Sequence, residues 1–150
     1  MNTPTIPSRQ VLLTTVSSDS HTWNLVFLHL LLEEAGYQVH NLGPCVPDDL
    51  VLSSITALRP DALVVSTVNG HGRMDGARLI RRIRTAPSTR YIPAIIGGRL
   101  GIHGDAGKGI SAELLDAGFD TVCDERTDPR TLPGLLLALG TRAELGKGAA

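Results

Sequence analysis

The feature that most constrains this chain is a strict alternation. Short runs of apolar and β-branched residues are separated by longer stretches of helical character, five of each. The runs are residues 10–16 (QVLLTTV), 37–42, 61–67 (DALVVST), 92–96 and 119–123. Such runs read as strands. The stretches between and after them, residues 23–35, 47–59, 75–85, 111–117 and 129–144, read as helices, the last broken at Pro133 and Gly134. Two strands joined by a helix lie parallel, and the crossover between them is right-handed. The expected fold is therefore α/β, a doubly wound flavodoxin/Rossmann-like sheet of five parallel strands with helices on both faces. The run at 61–67 is continuously apolar, as expected for a strand covered on both sides. The helix at 23–35 is apolar almost all round, which predicts burial on more than one side.

Length and composition then narrow the function. A chain of 150 residues suits one domain. Pro4 and Pro7 make residues 1–9 a loose tail, residues 10–145 form the domain, and 146–150 (GKGAA) fray. A formal net charge of -1 argues against a nucleic-acid partner. No apolar run approaches the ~20 residues of a membrane span, and the first residues lack a signal-peptide pattern. Two cysteines, Cys45 and Cys123, are too few for a disulfide framework. The expectation is a cytoplasmic protein with free thiols.

In a doubly wound sheet ligands bind beyond the C-terminal strand ends. The loops to read are thus 17–22, 68–73, 97–109 and 124–128. The first contains Asp19-Ser20-His21. A carboxylate that takes the proton of one imidazole nitrogen makes the other a better metal ligand. The same residues also allow a plainer role, in which Asp19 or Ser20 caps the following helix. The third strand ends in Ser66-Thr67-Val68, with hydroxyls at the mouth, and His71 beyond them reads as a solvated loop residue. The fourth ends in Gly97-Gly98-Arg99, where two side chains are missing and a bulky group could lie. Neither a P-loop nor a dinucleotide fingerprint is present. His29 and His40 fall inside predicted elements and read as structural.

Asp19-Ser20-His21-Thr22-Trp23-Asn24, Ser66-Thr67-Val68 and Gly97-Gly98, in this order, resemble the cobalamin-binding small subunit of glutamate mutase and, more broadly, the cobalamin-binding domain. That family carries Asp-x-His-x-x-Gly, Ser-x-Leu and Gly-Gly after the first, third and fourth strands. The resemblance covers roughly residues 10–140. It implies that His21 is the lower axial ligand of cobalt and that Asp19 hydrogen-bonds its other nitrogen. It implies that Ser66 bonds the displaced benzimidazole and that Gly97 and Gly98 open a slot for the nucleotide tail. Ser18, Ser20, Thr22, Thr67, Val68, Arg99, Leu100, Gly101, Ile102 and His103 would line the tail and corrin edge. The chain departs from the pattern at two places. Val68 stands for Leu, and Asn24 stands for the motif glycine, where its side chain takes space.

The resemblance further implies an adenosylcobalamin-dependent carbon-skeleton mutase, an isomerase that interconverts glutamate and 3-methylaspartate. A separate barrel subunit would bind the substrate, and this chain alone would be inactive. The competing expectations are a corrinoid carrier for methyl transfer and a cobalamin sensor. Carriers of this motif usually place a helical domain before it, and only about nine residues precede the first strand here.

Overall fold

A computed structural model describes residues 9–101 and 107–148; of 107, 108 and 141–148 it describes the backbone alone. The elements follow the expected alternation: β1 (Gln10–Thr14), α1 (Trp23–Glu34), β2 (Gln38–Asn41), α2 (Asp48–Leu58), β3 (Ala62–Thr67), α3 (Gly72–Thr85), β4 (Ala94–Gly98), α4 (Gly107–Ala117), β5 (Thr121–Cys123) and α5 (Leu132–Gly148). All pairings are parallel, and the strand order is β2-β1-β3-β4-β5. The doubly wound α/β fold is as the sequence predicts.

The period of two along the strands sorts the core into two layers. Leu12, Leu63, Val65, Ala94 and Ile96 face α2, α3 and α4, where Val51, Ile55, Ile80, Ile83 and Leu114 cover them. Val11, Leu13, Ala62, Val64 and Ile95 face α1 and α5, against Leu25, Leu32, Leu132, Leu136 and Leu139. Every residue of β3 is buried, as its apolar run requires.

Several boundaries differ from the sequence reading. β4 starts at Ala94 rather than residue 92 and runs on through Gly97 and Gly98, because both glycines pair with β3. α3 begins at Gly72, three residues before Asp75. The break in the last helix falls before Leu132, where a 3₁₀ turn (Pro129–Thr131) gives way to α5; Pro133 and Gly134 lie within its first turn, where proline costs no intrahelical bond. The larger correction concerns α1. Only Leu25 and Leu32 are buried, while Trp23, Val26, Phe27 and Leu30 stand on the surface. The helix covers one face of the sheet at its edge, and among the described residues nothing covers its outer side.

Candidate functional site

β1 has β2 on one side and β3 on the other. The chain leaving β1 enters α1 on one face of the sheet, while the chain leaving β3 enters α3 on the other. A crevice opens between such loops at the C-terminal sheet edge. Asp19, His21, Ser66, Thr67 and Val68 all lie there.

Asp19 is fully buried. Its Oδ1 accepts from the His21 backbone N–H at 3.0 Å and meets His21 Nδ1 at 2.7 Å. Its Oδ2 accepts from the Thr67 hydroxyl and the Val68 N–H, each at 2.8 Å. Its own carbonyl accepts from Cys45 N at 2.7 Å. Burial alone would raise the carboxyl pKa, but the donors from His21, Val68 and Thr67 outweigh it and hold the group at about 2. An ionised carboxylate only accepts, so His21 Nδ1 carries a proton toward it, and in the neutral ring the lone pair is on Nε2. The His21 side chain is 59% exposed, which leaves Nε2 accessible. The capping role for Asp19 falls away: α1 begins after Thr22, and the carboxylate bonds none of its first amides.

Polar contacts tie this loop down. Asn69 donates to Ser18 Oγ at 2.9 Å, and Ser18 donates to Asp75. Arg78 bonds Asp75 at 2.7 Å, Asp48 at 2.8 Å and Ser17 at 3.1 Å, joining the loop to α2 and α3. Burial opposes ionisation of Asp75, but the bonds from Ser18 and Arg78 hold its pKa below the usual carboxylate value.

Beside the loop lies a cavity of about 490 Å³ between α1, the ends of β3 and β4, and the segment from β5 into α5. Its walls are mostly apolar, with Phe27, Leu28, Val64, Val65, Ile95, Leu132 and Leu135 among them. Ser66 follows Val64 by two and so faces this side of the sheet, in register with Gly97. A side chain at Gly97 would begin 3.2 Å from Cys123 Cβ, so glycine there keeps the floor open. Gly98 answers to the sheet itself. Its φ is +114°, and an added Cβ would sit 2.1 Å from the Thr67 carbonyl oxygen. Asn24 Nδ2 donates to Ser66 Oγ at 2.8 Å. The remaining amide atom, Asn24 Oδ1, is buried without a hydrogen-bond partner among the described residues.

The structure thus brings Ser66, Val68, Gly97, Gly98 and Arg99 together around the cavity. His21, Ser18, Ser20 and Thr22 are exposed on the adjoining loop. Thr67 is buried and engaged by Asp19, and Leu100 belongs to the core beneath the start of α3. A Cβ on Gly101 would meet Ile110, so this glycine serves packing. Ile102 and His103 lie outside the described residues. His29 pairs with Glu33 at 2.6 Å and His40 with Gln10 at 3.2 Å, both in structural roles, and His71 is exposed. The sequence reading missed the α1 and α5 walls. Their signal is faint, since Phe27, Leu28, Leu132 and Leu135 look like ordinary core residues; only the strand-end position of 124–128 pointed there.

A family model described as the B12 binding domain matches residues 9–130. The glutamate mutase sigma subunit 1 of Haloarcula marismortui is 31% identical over 121 residues, covering 81% of this chain and 79% of that protein. Among solved structures, a cobalamin-binding protein from Desulfitobacterium hafniense superposes with a TM-score of 0.73 at 16% identity, over 89% of this chain and 60% of that one. A response regulator from Chloroflexus aurantiacus superposes at 0.66 with 22% identity, over 89% and 99%. At these identities the two structures speak to the fold alone.

Proposed function

The chain belongs to the B12 binding domain family, and on that premise we propose that it is the cobalamin-binding small subunit of a glutamate mutase. The observation that carries the reading is the Asp19–His21 pair. A buried, ionised carboxylate holds an exposed imidazole in the tautomer that leaves Nε2 free to ligate.

The donor set suits a metal that arrives inside a macrocycle. Among the described residues no group of three or more His, Cys, Asp or Glu side chains converges to hold a bare ion. One axial nitrogen is what a corrin-bound cobalt needs from a protein. The glycine-floored cavity beside the loop would hold the nucleotide tail. His21 would supply the lower axial ligand, and Asp19 would fix its ring and raise its basicity. Because Asn24 donates to Ser66 Oγ, the Ser66 hydroxyl proton remains available to a ring nitrogen of the base. Ser18, Ser20, Thr22, Arg99 and the neighbouring strand ends would border the corrin and tail. Bound as adenosylcobalamin, the cofactor supplies the radical that starts carbon-skeleton rearrangement.

The amino acid substrate would bind a separate barrel subunit covering the upper corrin face. The exposed loop around His21 fits that division of labour, since it would leave a bound corrin open to a second chain. Alone, the chain would load cofactor without turnover. A cytoplasmic location fits two unpaired cysteines, and no helix among the described residues is long and apolar enough to cross a membrane.

The test is to mix the chain with adenosylcobalamin and a candidate large subunit and follow glutamate isomerisation by NMR. Conversion to 3-methylaspartate only with both chains present supports the proposal. Cobalamin binding whose cobalt EPR spectrum keeps protein nitrogen hyperfine splitting in His21→Ala would refute the ligand assignment.

A further inference from the structure

We propose that Arg78 on α3 is a positioning residue for cobalt ligation: its guanidinium holds the loop from Ser17 to His21 in the form that presents the imidazole before any cofactor arrives. The inference rests on the cofactor reading above and concerns a side chain to which neither the motif nor the comparisons give a role.

The loop has little else to fix it. Residues 17–22 are exposed apart from Asp19. Among the described residues, the backbone bonds that hold residues 17–21 run from Asp19 N to the Val16 carbonyl at 3.1 Å and from Cys45 N to the Asp19 carbonyl at 2.7 Å. Side chains supply the rest, and Arg78 stands at their root. Its Nε and Nη2 donate to the two carboxylate oxygens of Asp48 on α2, at 2.8 and 3.2 Å. Nη1 donates to Asp75 Oδ1 at 2.7 Å, and Nη2 also reaches Ser17 Oγ at 3.1 Å. The other oxygen of Asp75 accepts from Ser18, whose Oγ accepts from Asn69 Nδ2 at 2.9 Å. Asn69 Oδ1 lies 3.2 Å from the Thr67 hydroxyl, which donates to Asp19 at 2.8 Å. An unbroken path of side chains thus runs from Arg78 to the carboxylate that orients His21.

The two carboxylates are not freely solvated, with side chains only 9% and 15% exposed at Asp48 and Asp75. Without the guanidinium, Asp75 would keep no ion pair among the described residues, and Asp48 only a longer one to Arg82 at 3.7 Å. A carboxylate that loses its cation turns toward water, and Ser18 would then lose its acceptor. A guanidinium suits the place because its planar fork bonds several oxygens at fixed angles, which an ammonium group cannot do. Arg82 provides the contrast. One turn later on α3, it joins the same two helices through Asp49 and Asp48, yet it bonds no loop residue among the described residues. Pairing between α2 and α3 therefore does not depend on Arg78 alone, whereas the link from these helices to Ser17 does.

The experiment measures cob(II)alamin binding to the full chain by stopped-flow absorbance, and amide hydrogen exchange at Asp19 and His21 without cofactor. Arg78→Ala should weaken affinity about tenfold, the low end for a lost outer partner of a metal ligand. Most of the loss should lie in association, because a cofactor that needs the ordered loop meets only the ordered fraction. At saturation the variant should keep the wild-type nitrogen hyperfine splitting of cobalt, since Nε2 still ligates. Its Asp19 and His21 amides should exchange faster in the free chain. Arg78→Lys should fall between the two, and it carries the test if the alanine variant folds poorly. Arg82→Ala removes an ion pair between α2 and α3 without touching the loop, and should bind as the wild type does. Wild-type association and exchange in both Arg78 variants, or an equal loss in Arg82→Ala, overturns the inference. Failure of the wild type to bind cob(II)alamin overturns the cofactor reading instead, and the exchange rates of the free chain still decide whether Arg78 orders the loop.

Discussion

Asp19 is a residue whose every acceptor has a donor, and replacing it by Asn shows what that arrangement is worth. Asn keeps one acceptor but turns an N–H₂ toward the Val68 N–H or the His21 ring, leaving a buried donor unpaired. Asp19→Asn should lower unfolding free energy by about 1–3 kcal/mol, measured by urea denaturation. The same change should weaken cobalamin binding by roughly 10–100-fold, through loss of the ring's orientation and basicity. Full affinity in this variant would remove Asp19 from the site. Gly98 makes a different demand. Gly98→Ala puts a Cβ on the Thr67 carbonyl and strains a left-handed backbone, so it should cost about 3 kcal/mol or force the β3–β4 ends apart. At this scale the residue types of the site were legible, because Asp, His, Ser and paired Gly at strand ends are chemically uncommon company. The partners of Asp19 on β3 were not, since Thr67 and Val68 are 48 and 49 residues away in sequence.

At the scale of elements, α1 is where pattern and structure part. Its sequence is apolar on all sides, yet the sheet can bury only one side of an edge helix, and no second layer among the described residues lies outside it. Leu30→Lys, at 62% exposure, should change stability by less than ~0.5 kcal/mol. Leu32→Ala, fully buried two residues later, should cost about 2–5 kcal/mol. Equal costs would mean that the outer face is covered. The clamp of Asp75 and Arg78 across α2, α3 and the first loop carries a pH signature. The folded pKa of Asp75 lies below its unfolded value, so its contribution is complete above the unfolded carboxyl pKa of about 3.9. It is lost as pH falls through the lower folded value. Unfolding free energy should therefore fall with acidification below about pH 4, and less steeply in Asp75→Asn.

For the whole molecule, a cofactor that binds only the folded chain must stabilise it by mass action. At a free cobalamin concentration one hundred times Kd, the gain is about 2.7 kcal/mol, read as a rise in the thermal unfolding midpoint. His21→Ala should show a smaller rise at the same concentration, and no rise in the wild type would contradict the cofactor reading. The alternation of strand and helix determined the parallel doubly wound sheet from sequence alone, because period and length leave that chain few other ways to bury its apolar runs. It also pointed to the strand ends as the place to look for a site, and to which loops to read. Strand ends drifted by a few residues because pairing across the sheet, not composition, decides where Gly97 and Gly98 belong. Only the tertiary structure decided that Asp19 is buried and ionised, that α1 keeps an apolar face outward, and that Ser66 on β3 takes a hydrogen bond from Asn24 on α1. Each of these depends on which distant segments meet, and one-dimensional patterns carry periodicity but not proximity.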